Sequence, residues 1–129
     1  WFGADCSQQS DRASGLFVEG LYDFDNLFGV DFSTSKEQRV NTGESAMNHA
    51  MLFTGVDIDE EGNARRFRVE NSWGEEPGEK GFFTMDAAWF DANVFEVAVH
   101  VDDLPEDLRA VIAEDPQHLP AWDPMGALA

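Results

Sequence analysis

Three residues of this chain carry the types and spacing that could do chemistry: His49, Asn71 and Trp73. Imidazole is the side chain whose ordinary titration lies near neutral pH, so it serves as a general base and acid. A neutral amide beside it can fix the ring's orientation and tautomer without taking its proton. That is the orienting part in a nucleophile–base–orienter triad, where the third group is Asn instead of Asp. Trp73, two residues after Asn71, can shield the His–Asn hydrogen bond from water. A plain polar pair at a sheet edge is the competing account of the same two residues.

Two strands must bring the pair together. His49-Ala-Met-Leu-Phe-Thr-Gly-Val56 is apolar and partly β-branched or aromatic, and Arg65-Arg-Phe-Arg-Val-Glu70 alternates polar with apolar. The acidic, glycine-containing run Asp57-Ile-Asp-Glu-Glu-Gly-Asn63 between them is turn chemistry, so the strands form a hairpin. If Asp57 faces Asn63 across that turn, the same register sets His49 opposite Asn71. His49, Met51 and Phe53 then share a buried face with Phe67, Val69 and Asn71, while Leu52 and Thr54 share the charged face with Arg66 and Arg68. Arg65, Arg66 and Arg68 relieve local negative charge on that outer face.

Elsewhere, residues 1–45 read as loop-rich, and Trp1-Phe2-Gly3 reads as the middle of a strand. Gly81–Met85 is a predicted strand, Asp86 a predicted cap for a helix through Ala92, and Val94–Val101 a further strand. Asp103-Leu-Pro-Glu106 matches a capping box that opens a helix through about Ala113. Leu119 to Ala129, with two prolines and a glycine, is a predicted extended tail. Strands outnumber helices, which predicts an α+β architecture with an antiparallel sheet or barrel core.

Other candidates are weaker. Asp57-x-Asp59-x-Glu61-Gly62 resembles the front of a calcium loop, but Arg68 stands where a bidentate glutamate is required. His100 and His118 have no second ligand at zinc spacing, so neither a metal nor a cofactor is expected. Cys6 is the single cysteine, and its neighbour Asp5 opposes thiolate formation; it reads as structural rather than nucleophilic.

Composition narrows the partners. The chain has 129 residues, with 26 Asp+Glu against 8 Lys+Arg, a formal net charge of −18. Such a charge repels nucleic-acid phosphates and anionic lipid. An apolar fraction of 43%, with 11 Phe and 4 Trp, argues for a folded core in one unit, residues 1–129. One cysteine excludes an internal disulfide and suits a reducing compartment. With no apolar run long enough to span a bilayer and no signal pattern, the reading is a soluble, cytoplasmic protein.

Asn71-Ser-Trp-Gly74, downstream of a strand opening on His49-Ala50, resembles the His and Asn segments of papain-like cysteine peptidases. Glu44-Ser-Ala-Met-Asn-His-Ala50, Val69-Glu-Asn-Ser-Trp-Gly74 and Ala121-Trp-Asp-Pro-Met-Gly-Ala-Leu-Ala129 narrow the resemblance to the bleomycin hydrolase/aminopeptidase C family. Trp1-Phe2-Gly3 and Leu21-Tyr22-Asp23 match similar segments, so the resemblance spans essentially the whole chain. It implies a papain-like half: an antiparallel β-barrel with short helices and an extended C-terminal arm. It also implies that His49 is the general base and imidazolium partner of a cysteine thiolate, Asn71 its orienter and Trp73 its shield. The arm, about residues 119–129, would lie in the cleft, where the Ala129 carboxylate meets the free α-amine of a peptide substrate. Family members carry the nucleophilic cysteine early in a longer chain, in a Gln…Cys-Trp context that does not occur here. The expectation is therefore the C-terminal part of a cysteine aminopeptidase, inactive alone, and joined in the whole enzyme to an N-terminal portion in a homohexamer. The alternative of another class is a non-catalytic peptide- or subunit-binding remnant of the same fold.

Overall fold

Alternating apolar side chains and a glycine-containing acidic turn make the central hairpin, β4 (His49–Ile58) and β5 (Ala64–Glu70). It lies at the middle of the sheet in a computed structural model that describes residues 1–125. The other strands are β1 (Phe2–Ala4), β2 (Ser10–Asp11), β3 (Leu16–Phe17), β6 (Phe82–Asp86) and β7 (Val94–Val97). Together they form one seven-stranded sheet in the order β2-β3-β6-β5-β4-β1-β7. Four short helices accompany it: α1 (Phe24–Phe28), α2 (Lys36–Thr42), α3 (Ala87–Asn93) and α4 (Glu106–Ile112). The first 45 residues, expected to be mainly loop, thus contain three strands and two capped helices. Ser35 and Gln38 cap α2 reciprocally.

The sheet is mixed, not wholly antiparallel, because β3 runs parallel to β6. β2 and β3 form an edge hairpin, and the long intervening chain lets β3 lie in the same sense as β6. Phe2, Ala4, Phe17, Met51, Val69, Phe83, Met85, Trp89 and Val94 make the buried core. Each fully buried large side chain contributes about 1.5–3 kcal/mol through removal from water. Asp86 ends β6 and caps α3 as expected, accepting the Trp89 N–H at 2.6 Å. The cap turns Trp89 into the core, where its ring centroid lies 4.6 Å from that of Phe17 and its Nε1–H donates to Gln8 O at 2.8 Å.

Two local expectations change. The helix near residue 106 has Pro105, not Asp103, at its N-cap, with no side-chain cap. Leu104 precedes a proline and is held extended (φ −78°, ψ 143°), which separates Asp103 from the helix. Asp103 instead ends a 3₁₀ turn, Val101–Asp103, and the preceding strand stops at Val97. In the tail, the Asp123 N–H donates to Pro120 O at 2.9 Å, so the chain turns there.

The hairpin register also differs from the expected one. Phe53 faces Val69; after one bulge Val56 faces Phe67, and after a second Ile58 faces Ala64. Asn63 is not opposite Asp57; Asp59 Oδ1 accepts the Glu61 N–H at 3.1 Å in an Asx turn and the Asn63 N–H at 2.7 Å. Asp57 pairs instead with Arg66, at 3.0 Å on the exposed face. Continued past Glu70, the register sets Asn71 opposite Met51. His49 is then a diagonal rather than a direct neighbour of Asn71, and it pairs on its other side with Ala4 of β1. The buried face keeps Met51, Phe53, Phe67 and Val69, as the alternation predicts. Among the described residues, no helix is long and apolar enough to cross a membrane.

Candidate active site

His49 opens β4, and Asn71 follows directly on the end of β5, its N–H held by Gly81 O at 3.1 Å. Despite the shifted register, His49 Nε2 and Asn71 Oδ1 are 2.8 Å apart. The diagonal separation is within reach of an imidazole and a carboxamide. Asn71 Oδ1 also accepts the Ser72 N–H at 2.8 Å. A backbone N–H can only donate, so this contact fixes the amide's orientation and makes its oxygen the atom facing the imidazole. Nε2 must then carry the proton it shares with Asn71, and in the neutral ring Nδ1 keeps its lone pair. Nδ1 is therefore the basic atom.

Trp73 stacks on the imidazole with ring centroids 4.8 Å apart and planes 20° from parallel. Phe83, in the core, meets the same indole edge-on at 5.7 Å. The imidazole, its amide partner and the indole stacked on it thus rest on the sheet's packed interior. His49 and Asn71 are half-buried, and the described concavities lie elsewhere. One of about 570 Å³ is lined by Phe24, Phe28, Phe32 and Arg39.

Behind His49 lies a buried carboxylate. Asp5 is 1% exposed and accepts from Ser45 Oγ at 2.7 Å, Asn48 Nδ2 at 2.6 Å, the Ser7 N–H at 3.1 Å and the Ser7 hydroxyl. Asn48 also donates its N–H to Ala4 O of β1 and accepts the Cys6 N–H, just after that strand, on its Oδ1. The residue before His49 is therefore locked to β1. Burial pushes the Asp5 carboxyl up, but the donors from Ser7, Ser45 and Asn48 outweigh it and hold it below its ordinary value. A depressed folded-state value stabilises the fold at pH above about 3.9 and loses that contribution as pH falls through the folded value. Asp5→Asn should destabilise the protein at pH 7 by about 1–3 kcal/mol and flatten the acid limb of its stability curve. Denaturant unfolding between pH 7 and pH 2 measures both; an unchanged acid limb would contradict the role given to this carboxylate.

Cys6 adjoins the same network and is buried, its sulfur 4.0 Å from that of Met51. Burial first, and then the Asp5 charge, push its thiol up to about 12. At neutral pH it stays a thiol, the opposite of what a nucleophile needs. The expected effect of Asp5 on Cys6 is present, reinforced by desolvation that the sequence did not reveal.

A family model described as Peptidase C1-like matches residues 1–126. The chain belongs to the Peptidase C1-like family. It is 48% identical to aminopeptidase C of Lactobacillus helveticus and 46% identical to bleomycin hydrolase of Homo sapiens. Each alignment covers 100% of this chain and 29% of the relative. The crystal structure of PepW from Lactobacillus rhamnosis is 47% identical, with a TM-score of 0.92, and covers 100% of this chain and 29% of that one. The chain thus spans under a third of the length of these relatives.

In this Peptidase C1-like chain, His49, Asn71 and Trp73 come together as the sequence suggested. Ala129, the fourth expected site residue, lies outside the described residues. The calcium-like turn uses Asp59 to hold its own backbone and Asp57 to pair with Arg66. Sequence reasoning missed Asp5 as a scaffold and Arg12, whose guanidinium lies 4.9 Å from the Trp73 ring centroid. Only Ser7 is a local partner; Ser45 and Asn48 lie 40 and 43 residues from Asp5, and Trp73 lies about 60 residues from Arg12, beyond what a local pattern carries.

Proposed function

We propose that this chain supplies the base, orienter and shield of a cysteine aminopeptidase of the bleomycin hydrolase type. The observation that carries the reading is the 2.8 Å contact between His49 Nε2 and Asn71 Oδ1, stacked under Trp73. In this reading the nucleophilic cysteine comes from a part of the protein outside these residues, since the Cys6 thiol is buried and its ionisation suppressed. Support also comes from Asn71 Nδ2, which is buried with no acceptor among the described residues. Such a donor needs a carbonyl, which the remainder of the enzyme would provide.

His49 Nδ1 takes the thiol proton, and the thiolate attacks the carbonyl carbon of the first peptide bond. The imidazolium then gives its proton to the leaving amine as the C–N bond breaks, leaving a thioester. Water, deprotonated by Nδ1, attacks the thioester; the amino acid leaves and the thiol is restored. Asn71 holds the ring through both proton transfers, and Trp73 keeps water from the hydrogen bond that orients it. The segment of about residues 119–129 serves as the cleft-filling arm, with the Ala129 carboxylate meeting the substrate's ammonium and limiting cleavage to free N-termini. The whole enzyme is a cytoplasmic homohexamer in this reading, and the present residues are its C-terminal β-barrel part.

The test uses the full-length protein and an aminoacyl-arylamide. Iodoacetamide should abolish hydrolysis, and Cys6→Ala should leave both the rate and the sensitivity to alkylation within about twofold of wild type. Loss of alkylation sensitivity in Cys6→Ala would make Cys6 the reactive thiol and overturn the assignment. Full activity after alkylation of wild type would remove thiol chemistry altogether.

A further inference from the structure

We infer that Arg12 is a specificity-determining residue that attracts a carboxylate on the leaving side of the peptide substrate. This rests on the aminopeptidase reading of His49, Asn71 and Trp73. Arg12 is exposed, and its guanidinium lies over the Trp73 indole at 4.9 Å, while that indole stacks on His49 at 4.8 Å. The cation is therefore held within two ring contacts of the base.

Its position is built by the backbone. The Arg12 loop docks on the loop after Trp73, with Gly78 N–H donating to Ala13 O at 3.2 Å, and on β6, with Thr84 N–H donating to Gly15 O at 2.8 Å. Gly15 and Gly78 meet where the loops touch, both at positive φ (+70° and +63°). A Cβ on Gly15 would fall 2.6 Å from the Gly78 Cα, so side chains are excluded from this contact.

Arg12 is also left available. Its neighbour Asp11 turns back into its own loop, accepting from Ser14 Oγ at 2.6 Å and the Ala13 N–H at 3.1 Å. Among the described residues, no carboxylate is within ion-pair distance of Arg12. By contrast, Arg66 pairs with Asp57, and Arg39 donates to Ala92 O at 2.7 Å. In a chain of net charge −18, an unpaired guanidinium stacked on the indole that covers His49 is a local feature that attracts rather than repels an anion.

The reaction gives the direction. His49 must protonate the leaving amine, so the departing part of the peptide passes the imidazole and its Trp73 cover. An extended peptide advances about 3.3–3.6 Å per residue. A carboxylate one to three residues beyond the scissile bond therefore comes level with Arg12. It is either an acidic side chain or the terminal α-carboxylate of a short peptide.

The full-length enzyme tests this with two substrate pairs: Ala-Ala-Glu-amide against Ala-Ala-Gln-amide, and Ala-Ala against Ala-Ala-amide. Wild type should favour the anionic member of at least one pair by about two- to fivefold in kcat/KM at low salt, the range of a solvent-exposed ion pair. That ratio should fall toward one in 0.5 M salt and in Arg12→Gln, and Arg12→Lys should retain part of it. The pair that responds identifies which carboxylate is bound. A wild-type ratio of one in both pairs overturns the inference, as does a ratio unchanged by salt or by Arg12→Gln. The ratio is internal to each variant, so a general loss of activity does not imitate the effect. Absence of aminoacyl-arylamide hydrolysis by wild type would instead be the failure of the aminopeptidase reading itself.

Discussion

His49→Ala in the full-length enzyme should lower kcat/KM for an aminoacyl-arylamide by about 10³–10⁴-fold, as removal of a general base from an acyl-transfer triad does. In the proposed mechanism the imidazole acts in both half-reactions. Without it the thiol has no base, the leaving amine no acid and the hydrolytic water no activation. The neighbouring geometry concentrates these roles in one atom. Asn71 Oδ1 is committed to the Ser72 N–H and to His49 Nε2, so Nδ1 alone is free to exchange the proton. The loss should fall on kcat more than on KM, because His49 contributes little to ground-state binding. Steady-state kinetics on wild type and variant measure it, with unchanged circular dichroism showing that the fold survives. A loss below tenfold would remove His49 from the chemistry.

The largest stability effect should come from Trp89→Ala, at about 3–5 kcal/mol. Trp89 is 0% exposed, packs on Phe17 and anchors α3 between β6 and β7. Its removal forfeits the transfer energy of the indole, leaves a cavity among stiff aromatic neighbours and strands Gln8 O without the Nε1–H. Urea unfolding should show a lower midpoint with an unchanged slope. A change under about 1 kcal/mol would mean that α3 is not anchored through this side chain.

Much of the site was legible because its chemistry is written in short segments. The alternation through Met51, Phe53, Phe67 and Val69 required a buried hairpin face, and Asn71-Ser-Trp-Gly74 set the amide and the indole two residues apart. The register was not legible. Asp59 holds the Glu61 and Asn63 N–H groups in the turn, and two bulges shift the pairing, a choice that depends on local hydrogen bonds rather than residue pattern. The His49–Asn71 contact survives because long polar side chains bridge a diagonal as well as a direct pair. The Asp103 cap failed for a similar local reason, with Pro105 holding Leu104 extended.

Sequence alone determined the kinds of groups present: an imidazole opening a strand, a carboxamide and an indole two residues apart, a strongly acidic composition and a single cysteine. Residue type, strand period and turn composition act over a few positions, so they can be read along the chain. Tertiary structure decided which partners those groups received. It buried Cys6 against Met51, gave Asp5 its donors from Ser7, Ser45 and Asn48, and laid Arg12 over Trp73. These outcomes depend on burial and on contacts between distant segments. Both arise only when the sheet closes around its core.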